Sequence, residues 1–244
     1  ASFGAGIPPD KAKAKSVGVA MAEQGKRLKG ILDELEKAAD FQAKESYHVL
    51  ELKAQRLNMP TLRAMEQVVN WQADGLFAFA EGRPLAPMPP GVDAQALGAA
   101  APGPAGANPM QRNMFEPTLP RCLPFSPADF DAAPPVIAEP LRSEFQRLAK
   151  DHEQLIGLGA SYGTFDVAGK EYFLDSIAQI SFRWEDLMAT AVGAGLLPSA
   201  GFRAMSEEYL RRAGMTPASF RELVDSVHDR LRADVEKEKA ALNR

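Results

Sequence analysis

The sequence predicts an all-α protein made of an N-terminal helical hairpin and a C-terminal helical bundle, joined by a long extended connector. Three observations carry that prediction. Apolar residues recur at three- and four-residue steps on both sides of the chain's middle. No segment shows the two-residue alternation of β-branched residues that marks a strand. From Gly82 to Glu139 the helical rhythm stops and Pro, Ala and Gly take over, as in Arg83-Pro84-Leu85-Ala86-Pro87-Met88-Pro89-Pro90. Proline fixes φ and removes a backbone donor, so such a run is neither helix interior nor central strand.

Residues 1–10, with Gly4, Gly6, Pro8 and Pro9, read as an extended arm, and Asp10 can cap the first helix. Lys11 to Leu57 reads as one long helix, bent near Gly25 or Gly30, with Leu28, Ile31, Leu35, Ala38, Phe41, Glu45, His48 and Leu52 sharing a face. Asn58 and Pro60 stop it. Thr61 caps a second helix over Leu62–Ala80, and the short connection predicts an antiparallel hairpin over 11–81. The connector spans 82–139. Pro140 then opens a helix over Leu141–Leu158, Asp166 one over Val167–Val192, Ser199 one ending near Gly214, and Thr216-Pro217 one over Pro217–Leu242. These form the bundle, 140–244.

Composition narrows the function classes. The formal charge of −4 on 244 residues gives no reason to expect a dedicated nucleic-acid binder. The basic residues Lys11, Lys13, Lys15, Lys26, Arg27 and Lys29 have no interleaved aromatics on which single-stranded bases would stack, so a solvated face is their plainer use. A single cysteine, Cys122, excludes a disulfide within the chain, and its proline-flanked setting supplies no nearby base. The longest apolar run, Leu187–Pro198, is too short to span a membrane. Cytoplasm is the default compartment. No cofactor is expected.

Two motifs could carry chemistry. Gly159-Ala160-Ser161-Tyr162-Gly163 spells the nucleophile elbow of a serine hydrolase, and Asp175, Asp186 or Asp225, then His228, come after it in the required order. The elbow needs a preceding buried strand, whereas Phe145–Leu155 reads as helix. The plainer reading is a glycine-rich helix stop. Glu45-x-x-His48 and Asp225-x-x-His228 each place a carboxylate and a histidine on one helix face, the spacing used in two-metal bundles. Glu45 and His48 fall on an apolar stripe and could face inward. Asp225 and His228 fall on a polar stripe with Arg221 and Arg232, and further inward carboxylates are missing, so a metal site lacks its ligand set.

The connector carries the most suggestive pattern. Met110, Met114, Phe115, Leu119, Leu123, Phe125 and Phe130 recur among prolines, which a plain spacer would not need. An extended, preorganised segment with spaced apolar anchors fits a groove. That groove belongs either to a partner or to the chain's own helices, and the anchors would be buried in both cases. A two-helix hairpin also hides too little apolar surface to stand alone. The leading expectation is a non-catalytic accessory, adaptor or scaffold protein that binds another protein, or a second copy of itself, through its first long helix and these connector residues. The alternative is a helical enzyme or ligand-binding protein with a site at Glu45 and His48, joined by Tyr47, Tyr162 or Trp184.

Overall fold

A computed structural model describes residues 10–89 and 123–243. The protein is all-α, with no strand among the described residues. Seven α-helices are described: α1 Lys11–Lys37, α2 Phe41–Arg56, α3 Leu62–Glu81, α4 Pro135–Gly159, α5 Val167–Gly193, α6 Ala200–Ala213 and α7 Pro217–Leu242. Short 3-10 turns lie at Pro127–Ala132 and Tyr162–Thr164. The chain divides into two compact units whose boundary falls inside α2, between residues 49 and 50. Of the described residues, the first unit takes 10–37 and 50–89, and the second takes 38–49 and 123–243.

In the first unit α3 packs along α1. Ala14, Gly18, Gly25 and Leu32 are buried, and Met21, Leu28 and Leu35 are half-buried between them. This is a heptad seam built on small residues, which lets two helix backbones approach closely. The register is antiparallel. A β-carbon at Gly18 would meet Leu76 and Phe77, one at Gly25 would collide with Asn70, and Arg63 bonds Asp33 and Glu36 at 2.6 Å. Thr61 caps α3 by accepting from Ala64 N–H at 3.2 Å, and Gly82 closes it in the left-handed conformation at φ 73°.

The expected single helix over 11–57 is two helices, and the break is at residues 38–40 rather than at Gly25 or Gly30. Asp40 accepts from Ala43 N–H at 3.0 Å and so starts α2 afresh. The backbone N–H of Gly163 donates to Ala39 C=O at 2.7 Å and ties the break to that turn. The helix that pairs antiparallel with α3 is therefore α1 alone. Asn58, at φ 52°, ends α2.

The second unit is organised around two aromatic groups. Phe41, Tyr162 and Phe173 meet with ring centroids 4.9–5.3 Å apart. Phe125, Phe130, Phe145 and Trp184 form a chain with successive centroids 5.3, 5.5 and 6.0 Å apart. Leu223, Val227, Leu231 and Val235 form the buried stripe of α7, and α5 packs against both α4 and α7. Asp166, Ser199 and Thr216 cap α5, α6 and α7 as the sequence predicts. Helix α4 begins at Pro135, ahead of the predicted start at Leu141, because Pro134-Pro135 supplies an earlier start. Pro140 consequently sits inside α4, where it has no N–H to donate to the Val136 carbonyl. Val136 is 81% exposed, so water can take that place.

Candidate functional site

Each sequence-predicted site residue has a definite place or lies outside the described residues. Met110, Met114, Phe115, Leu119 and Cys122 lie outside them. Phe125 and Phe130 are 3% and 0% exposed. Both are taken up by their own unit: Phe125 packs on Phe130 of the 3-10 turn, and Phe130 packs on Phe145 of α4. Of the two grooves the sequence leaves open, these two side chains lie against their own helices. Leu123, by contrast, is 46% exposed.

The carboxylate–histidine residues come together in a way the sequence did not suggest. Glu45 of α2 lies 3.7 Å from His228 of α7, and His48 of α2 lies 3.2 Å from Asp234 of α7. His228 is thus turned inward rather than along the polar stripe, while Asp225 lies beside Arg221 at 3.5 Å. The contacts are two separate pairs. No group of three or more potential metal ligands occurs among the described residues. Burial lowers the pKa of His48, and the Asp234 carboxylate beside it opposes that shift.

The glycine-flanked serine is equally structural in its setting. It comes after helix α4, not a strand. Gly159 is buried, and a β-carbon there would press on Phe173 and Phe41 at 3.1 and 3.3 Å. A β-carbon on Gly163 would stand 2.7 Å from Ala39 Cα. Among the described residues no hydrogen bond joins the Ser161 side chain to a histidine. The two glycines are there because the 38–40 elbow and Phe41 press against this turn. Burial pushes the Tyr162 phenol up to about 12, with Glu238 and Asp234 adding to the effect.

A cleft of 1190 Å³ opens in the second unit. Phe145 and Ile156 of α4, Trp184 and Met188 of α5, Phe202 of α6 and the chain at Leu123-Pro124 supply its apolar lining. Lys150, Glu153, Glu185 and Arg221 stand at it as exposed charged groups. Helices α4 and α5 are held in register behind it by Arg183, which bonds Glu144 at 2.8 Å and Asp151 at 2.8 Å. Trp184 Nε1–H donates to His152 Nδ1 at 3.2 Å, fixing the indole at the wall. Arg221 is paired with Glu185 and so ties α7 to α5 at the rim. A space of this size with an aromatic floor and a charged rim is suited to taking up apolar side chains from water. No sequence motif points to it, because its residues come from separate helices and carry no special spacing.

Residues 137–235 match a family described as a domain of unknown function, DUF1825. The match covers 99 of the 244 residues and runs from the first turn of α4 into α7, so it takes in the cleft lining apart from Leu123 and Pro124. No curated protein and no solved structure matches the chain. No described helix is long and apolar enough to cross a membrane.

Proposed function

We propose that the protein is a non-catalytic adaptor or accessory protein that seats an apolar segment of a partner protein in the cleft between α4, α5 and α6. One observation carries this reading: a 1190 Å³ open cleft whose floor is Phe145, Ile156, Trp184, Met188 and Phe202. Binding energy at protein interfaces concentrates where aromatic and long apolar side chains fill a water-excluding groove. An amphipathic helix with anchors three and four residues apart fits such a groove without needing a strand edge. The residues that resemble catalytic groups are occupied elsewhere. Glu45 and His48 face His228 and Asp234, and Ser161 sits in a packed helix stop, which favours recognition over chemistry.

The test is affinity capture from the native source with the intact chain and an Ile156→Glu variant, read by quantitative mass spectrometry. Ile156 is half-buried at the cleft, so the charge lands on the recognition surface with little cost to the core. The expected result is a protein recovered near stoichiometry by the native chain and depleted at least about tenfold by the variant, since a buried unpaired charge costs more than about 1.4 kcal/mol. Equal recovery by both chains would remove the cleft from the account.

A further inference from the structure

Helix α1 carries a second surface, independent of the cleft. Lys11, Lys15, Ala22, Lys26, Lys29 and Asp33 succeed one another at steps of 4, 7, 4, 3 and 4 residues. Those steps keep them on one flank of a helix. The flank adjoins the buried seam of Ala14, Gly18, Gly25 and Leu32 but is not part of it. All four lysines are exposed. The ion pairs of α1 use its acidic residues instead: Asp33 and Glu36 are taken by Arg63 of α3. Among the described residues no carboxylate lies within ion-pair distance of Lys11, Lys15, Lys26 or Lys29. From Lys11 to Lys29 the stripe is about 27 Å long at the helical rise per residue.

We propose that this flank docks an acidic amphipathic helix of a partner protein, with Glu or Asp at three- and four-residue steps. The pattern has the form of a flanking coiled-coil position, where charges set partner choice and orientation. Ala22, small and half-buried at the centre of the stripe, lets a second helix come close between the two lysine pairs. Asp33 closes one end and, with its carboxylate held by Arg63, marks where the positive run stops. A helix with matching charges reads such positions one by one, whereas a phosphate chain or an anionic bilayer averages over them. No aromatic side chain lies in the stripe for base stacking. The apolar face that would enter a bilayer is closed against α3.

Fluorescence anisotropy with the full chain tests this. The probe is a labelled synthetic helix with glutamates at three- and four-residue steps. Its comparators are an isomer of the same composition with glutamates spread evenly round the helix, a DNA duplex of the same length, and phosphatidylserine vesicles. The patterned peptide is expected to bind, and to bind at least about threefold tighter than the isomer, with about tenfold weakening when Lys11, Lys15, Lys26 and Lys29 are all changed to Gln. Lysine and glutamine have similar helix propensity, so the exchange leaves α1 intact. Changing the same four to Arg should preserve binding, which separates charge from misfolding. Three results overturn the proposal: no binding of the patterned peptide, equal binding of its isomer, or tighter binding of the duplex or vesicles that the Gln variant abolishes. The Ile156→Glu variant should bind the patterned peptide as the native chain does, so failure of the cleft reading and failure of this one are distinguishable.

Discussion

Alanine at Gly163 and alanine at Gly157 should move stability in opposite directions, the first lying beyond the end of α4 and the second inside its last turn. At Gly163 an added β-carbon would stand 2.7 Å from Ala39 Cα, 3.3 Å from Ala39 Cβ and 3.3 Å from its carbonyl oxygen. Backbone cannot rotate aside as a side chain does, so the elbow must shift and the Gly163 N–H to Ala39 C=O bond of 2.7 Å must lengthen. Overpacking of this kind costs about 1–3 kcal/mol, and weakening the hydrogen bond adds up to about 1 kcal/mol. The lower backbone entropy of alanine returns about 0.5–1 kcal/mol. The net expectation is destabilisation by about 1–3 kcal/mol. At Gly157 nothing lies within 4 Å of the added carbon, so only the helix preference acts and stability should rise by about 0.5–1 kcal/mol. Urea unfolding followed by Trp184 fluorescence in a Trp71→Phe background isolates the second unit, which contains Trp184 but not Trp71. A Gly163→Ala protein as stable as Gly157→Ala would refute the tight contact at the elbow. It would also leave Gly163 of this pentapeptide without a steric reason.

The other expected outcomes concern the core and two titrating groups. Phe130→Ala removes a fully buried ring wedged between Phe125 and Phe145 and should cost about 3–5 kcal/mol in the same urea assay. The Tyr162 phenol has its pKa raised from 10.0 to about 12, so the unfolded chain loses that proton first as pH rises. Stability should therefore fall from about pH 10 upwards, by about 2 kcal/mol at pH 12, and Tyr162→Phe should remove that part of the alkaline loss. The neutral form of His48 is favoured in the folded state, where Asp234 opposes burial while Arg230 and Lys44 reinforce it. The unfolded chain accordingly binds the proton more readily, and stability should decline as pH drops below about 6.5. His48→Gln should flatten that decline, and an unchanged acid limb would place the sensitivity elsewhere.

Local chemistry made most of the helices legible. Thr61, Asp166, Ser199 and Thr216 are capping residues that accept the N–H bonds their sequence positions predict, and Gly214 ends α6 in the left-handed region at φ 64°. What was not legible was set by residues far apart in the chain. In Glu36-Lys37-Ala38-Ala39-Asp40 the one local break signal is Asp40, a residue suited to an N-cap. The break there depends on Gly163 and on Phe41 reaching Tyr162 and Phe173, over a hundred residues downstream. The connector's apolar anchors were visible, but whether Phe125 and Phe130 would turn inward depended on Phe145 being in reach. The cleft was invisible for the same reason. Phe145, Trp184 and Phe202 become neighbours only after α4, α5 and α6 have assembled.

The residues that looked chemical in the sequence converge on a single seam. Residues 38–49 meet the rest of the second unit through Ala39 against Gly163, Phe41 against Tyr162 and Phe173, Glu45 against His228, and His48 against Asp234. Every suggestive motif, the glycine-flanked serine and both carboxylate–histidine pairs, therefore supplies a contact that holds this short segment. Contacts made at successive helical turns need their partners in fixed positions, and fixed spacing is also what makes a motif look functional. A recognition cleft places no such demand on spacing. It needs apolar volume, an open mouth and rigid walls, which Arg183 and the Arg221–Glu185 pair provide from behind and at the rim. In this protein the conspicuous residues and the proposed binding cleft lie apart, and a search guided by motif alone would mutate the seam without touching the cleft.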